Sequence, residues 1–104
     1  MKIANFKWMT KHQHKRIRTE EAGRQIVLDF GKYHLSIIDD GYGRDEHLLE
    51  IGLFSAKDGV ATDMTSLPGI TNEGDTVRGY LTEEEVDAII MKLIAITGKA
   101  PEQV

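Results

Sequence analysis

The chain has 104 residues, of which 40% are hydrophobic and 29% charged, with 2 prolines and no cysteine. That balance suits a single domain spanning 1–104 and excludes wholesale disorder, disulfides, thiolate chemistry and cysteine-ligated metal centres. The formal net charge of −4 conceals a division: residues 1–24 carry seven lysines and arginines against two glutamates, and residues 25–104 carry six against fifteen carboxylates.

No apolar run reaches the roughly 20 residues needed to cross a bilayer, and Met1 to Lys7 lacks the long apolar region of a secretory signal. A cytoplasmic protein without membrane partners is therefore expected. Long-range electrostatics would present a partner with a basic N-terminal segment, residues 1–23, or with an acidic core, residues 24–97.

Within the first segment, Phe6, Trp8 and Met9 suit either a short helix or an extra strand, whereas Lys11 to Arg18 is too polar to bury. The first clear pattern is Arg24 to Phe30, where Ile26, Leu28 and Phe30 recur at period two, as in a half-buried strand. Gly31-Lys32 follows as a two-residue turn with glycine first, compatible with type II′. It pairs Leu28 with Leu35 and Ile26 with Ile37, so that one face of the hairpin is apolar throughout. His34 then falls on the less buried face with Ser36.

Asp39 to Glu46 reads as an acidic, flexible connection with Tyr42 near its tip. The strand His47 to Ser55 follows, with His47 at the edge of the core on the Leu49 and Ile51 face. Asp58-Gly59 turns the chain back into Val60 to Met64, opposing Lys57 with Val60 and Leu53 with Met64. Residues 66–75 are rich in turn formers and read as a surface loop. Thr76 to Leu81 is either a short strand or an extended lead into a helix.

Thr82 and Glu85 match a capping box. Val86, Ile89, Ile90, Leu93 and Ile94 form a helical stripe, and Gly98 with Pro101 ends the helix over 83–97. The expected fold is α+β, an antiparallel sheet of four or five strands with one C-terminal amphipathic helix on one face.

Chemistry is harder to find. His12 and His14 supply two metal ligands at most, among lysines and arginines that repel a cation. There is no phosphate-binding glycine loop and no G-x-S-x-G nucleophile, so no cofactor and no catalytic residue is assigned. The carboxylates Asp39, Asp40, Asp45 and Glu46, with Asp75 farther along, suit a surface that attracts a basic protein. Tyr42 and Tyr80 would supply apolar contact there. A second reading, from another class, places RNA or single-stranded DNA on Lys11, Lys15, Arg16 and Arg18, with Trp8 stacking on a base. A third is self-association through a sheet edge, as in a homodimer.

The phrases YHLSIIDDGYG, HLLEIGLF and GYLTEEEVDAIIMKL, within residues 30–97, resemble small proteins encoded by tailed bacteriophages. That resemblance implies a non-catalytic protein that binds and modulates a host or phage protein in the host cytoplasm.

Overall fold

Alternating apolar residues place the central hairpin as the sequence predicts. The computed structural model describes residues 1–10 and 23–104. Strands β2 (Arg24–Asp29) and β3 (Tyr33–Ile38) pair antiparallel with Leu28 opposite Leu35 and Ile26 opposite Ile37. Gly31 takes a φ of 87°, which costs glycine little, and the Phe30 N–H donates to the Tyr33 carbonyl at 2.8 Å to close the turn. β4 (Leu49–Lys57) continues the register, with Leu53 beside Leu35 and Ile51 beside Ile37. These six side chains are fully buried on one face.

Among the described residues, seven short strands fill five ranks of one antiparallel sheet. β1 (Met9–Thr10) and β7 (Glu102–Gln103) share the outer edge of β2. On the far side, β5 (Val60–Met64) and β6 (Val77–Leu81) share the outer edge of β4.

Helix α1 (Glu83–Thr97) buries Val86, Ile89, Ile90 and Leu93 in the same core as the apolar sheet face. Its start is fixed by the reciprocal capping box. The Glu85 N–H donates to Thr82 Oγ1 at 3.2 Å and the Thr82 N–H to Glu85 Oε1 at 3.1 Å. Gly98, at a φ of 69°, ends the helix by donating to the Ile94 carbonyl at 2.8 Å. No helix among the described residues is long and apolar enough to cross a membrane.

The core reaches beyond residues 24–97 at the N-terminal end, and the sheet does so at the C-terminal end. Ile3, in a 3₁₀ turn over Ile3–Asn5, is buried and donates its N–H to Asp87 Oδ1 at 2.6 Å, while Phe6 and Trp8 pack against the core. The C-terminal β7 was not anticipated. Its Gln103 side chain bonds both backbone groups of Lys7.

Three local expectations are corrected. Lys57 does oppose Val60 across Asp58 and Gly59, whose φ values of 53° and 81° suit a type I′ turn. Met64, however, opposes Phe54 and not Leu53, because a bulge adds one residue to β5 and reverses its side-chain parity. The bulge does not depend on Gly52, since a Cβ there would make only ordinary contacts, 3.9 Å from both Met64 and Phe54.

His34 is buried, only 4% exposed, because Asp29 and Phe54 flank it across the neighbouring strands. Among the described residues its Nε2 has no hydrogen-bond partner, and Asp29 Oδ1, 3.5 Å away, already accepts the Gly31 N–H at 2.7 Å. His47 lies outside the core altogether. It is exposed at a φ of 58° at the end of a 3₁₀ turn, and β4 begins two residues later.

Ile90→Ala should cost about 2–5 kcal/mol in urea unfolding, against less than about 0.5 kcal/mol for Ala95→Gln on the exposed face. His34→Phe removes an unsatisfied buried polar atom and should raise the urea midpoint. A lower midpoint would mean that the imidazole is satisfied within the fold.

Candidate functional site

The acidic connection 39–46 is a built turn, and its carboxylates have different uses. Asp39 fastens the end of the β2–β3 hairpin: it accepts the Arg24 N–H at 2.7 Å on Oδ1 and the Arg24 guanidinium at 2.8 Å on Oδ2. Asp40 is half-buried and lies against Gly23, where an added Cβ would come within 2.2 Å of its carboxyl carbon. The chain then turns sharply at buried Gly43, whose φ is 102°. Gly43 starts the short 3₁₀ turn Arg44–Glu46, and its carbonyl accepts the N–H groups of both Glu46 and Leu48 at 3.0 Å.

A second segment meets this turn. The pairing of β6 with β4 shifts by one residue between Leu49 and Ile51, which places a bulge at Gly79 and Tyr80. The Tyr80 N–H donates to the Tyr42 carbonyl at 3.0 Å. Gly79 permits the approach, since a Cβ there would lie 2.5 Å from Tyr42 Cβ. Tyr80 itself has a φ of 57°, in the left-handed region. A bulky side chain held there costs on the order of 1–3 kcal/mol and persists only where its surroundings impose it.

Tyr42 and Tyr80 are 63% and 60% exposed, although each is fixed through its backbone. Together with Gly43, Arg44, Asp45 and Glu46 they line one cleft of about 260 Å³. Asp45 and Glu46 are exposed and make no side-chain hydrogen bond or ion pair within the described residues. Glu50, behind the turn, is by contrast engaged, accepting the Tyr42 N–H at 3.3 Å.

Tyr42, Asp45, Glu46 and Tyr80 are therefore brought together from two segments more than 30 residues apart. Asp75 is not among them: it sits in a turn, donating to the Asn72 carbonyl at 3.0 Å, beyond the opposite end of β6 from Tyr80. Arg44 and Gly79 belong to the site and were not singled out from sequence. A glycine inside the strand-like phrase T-V-R-G-Y-L is the signal that marks a bulge or close backbone approach.

Trp8 is half-buried against the core, with the Arg24 guanidinium 5.1 Å from its ring centroid, a cation–π contact within the fold. Lys11, His12, His14, Lys15, Arg16 and Arg18 lie outside the described residues. Among the described residues, no group of three or more histidines and carboxylates is arranged to hold a metal ion. A larger, mostly apolar depression of about 390 Å³ lies within the loop 66–74, but one continuous segment lines it. Compared with known proteins, the chain matches no family model, no curated protein and no solved structure.

The strain at Tyr80 is directly measurable. Tyr80→Gly should raise stability by up to about 1 kcal/mol in urea unfolding, since glycine adopts that backbone freely. Gly79→Ala should lower it, because the new methyl group meets Tyr42.

Proposed function

We propose that this chain is a non-catalytic binding protein that engages a second protein through the Tyr42 and Tyr80 surface. One observation carries the reading: Tyr80 is an exposed aromatic residue kept in a strained backbone conformation, beside a glycine that gives Tyr42 its seat. Strain of this kind concentrates at ligand clamps, and exposed tyrosines on a rigid frame are efficient interface anchors. A packing role for either ring is disfavoured, because both stand mostly in solvent.

The acidic residues assist unequally. Asp45 and Glu46 remain available to steer a basic surface, whereas Asp39 is already bonded to Arg24. The resemblance to phage-encoded proteins favours a host or phage protein as the partner. Nucleic-acid binding has less support, because the Trp8 ring packs within the fold and already carries a guanidinium.

Affinity capture from a lysate of the cells in which the protein occurs tests the reading. The same proteins should be retained by the wild-type chain and by Asp63→Asn on β5, with or without nuclease. The combined Tyr42→Ser and Tyr80→Gly variant should lower that recovery at least about tenfold. Undiminished capture by the tyrosine variant, or capture abolished by nuclease, would overturn it.

A further inference from the structure

Resting on the protein-binding reading above, we propose that the Tyr42 and Tyr80 cleft receives one cationic side chain, an arginine or lysine, from an extended segment of the partner. Size is the first argument. The cleft's 260 Å³ falls below the roughly 300–1,000 Å³ of small-molecule sites, so it suits a single side chain better than a cofactor.

Charge is the second. Among the described residues, Asp45 and Glu46 line the cleft with one guanidinium, that of Arg44, so carboxylates are in excess there, and the Glu50 carboxylate stands behind Tyr42 and Gly41. An anionic group would meet two carboxylates that have no partner among the described residues. An apolar side chain would strip water from them without replacing its hydrogen bonds. A cation satisfies them.

The tyrosines are the third. Aromatic faces attract a cation within about 6 Å of the ring, and a guanidinium or ammonium between two tyrosines and two carboxylates gains from both. The cleft's own arginine does not supply that contact: the cation–ring pair found among the described residues is Arg24 on Trp8. The apolar stem of an arginine or lysine can lie along the tyrosines while its charged head reaches the carboxylates.

Titrating the isotope-labelled full chain with capped pentaglycine peptides carrying a central arginine, lysine, citrulline or norleucine, followed by amide NMR, tests this directly. Arginine and lysine peptides should shift the amides of Tyr42–Glu46 and Gly79–Leu81 saturably. The neutral peptides should bind at least about fivefold more weakly. Asp45→Asn with Glu46→Gln, both exposed positions, should weaken the arginine peptide to a similar degree with the remaining spectrum unchanged. Equal binding of citrulline, shifts confined to another surface, or no shifts at all would overturn the proposal. If the peptides fail while the tyrosine variant still loses protein capture, the cleft engages its partner by other chemistry and only this inference falls.

Discussion

The register of the β2–β3 hairpin is the constraint on which everything else rests. Side chains alternate along a strand, so a slip of one residue would turn Ile26 and Leu28 away from Ile37 and Leu35 and leave α1 with nothing to cover. Gly31 fixes the near end of that pairing. The bonds between Asp39 and Arg24 fix the far end. The second clamp also sets where the chain leaves the sheet, and so where the turn carrying Tyr42, Asp45 and Glu46 begins. The same register therefore supports both the core and the surface proposed to bind.

The cleft depends on glycines in a way that the core does not. Gly43 lets the chain reverse in a conformation costly to other residues, and Gly79 lets two backbones approach within hydrogen-bond distance. Between these permissive positions stands Tyr80, which has a side chain where glycine would be easier. A protein shaped only for stability would be expected to exchange it. Its presence is intelligible if the aromatic group serves a contact outside the chain.

Much of this architecture is legible in the sequence. The first hairpin, the capped helix and its buried stripe follow from patterns in which neighbouring residues determine the outcome, such as alternation, turn dipeptides and the Thr82 and Glu85 pair. The errors fell where one added residue changes parity. The β5 bulge redirected Met64, and the 3₁₀ turn took His47 out of the strand. His34 departs from expectation because its burial comes from Asp29 and Phe54 on neighbouring strands and not from its own alternation. At the site, the residue types were visible while their association was not. Tyr42 and Tyr80 meet only through the bulge at Gly79, whereas the pairing of Arg24 with Asp39 is implicit in the hairpin register, which runs on from Ile26 and Ile37 to set those two residues opposite each other.

The margin of the sheet formed by β1 and β7 has a consequence for the order of assembly. Each of these strands is two residues long, and the bonds between Gln103 and Lys7 join positions 96 residues apart. Such contacts must wait until the intervening chain has been drawn in, whereas the β2–β3 turn closes locally. The hairpins and helix are therefore expected to form before β1 and β7 dock on the edge of β2. That margin is where amide protons should exchange with water earliest.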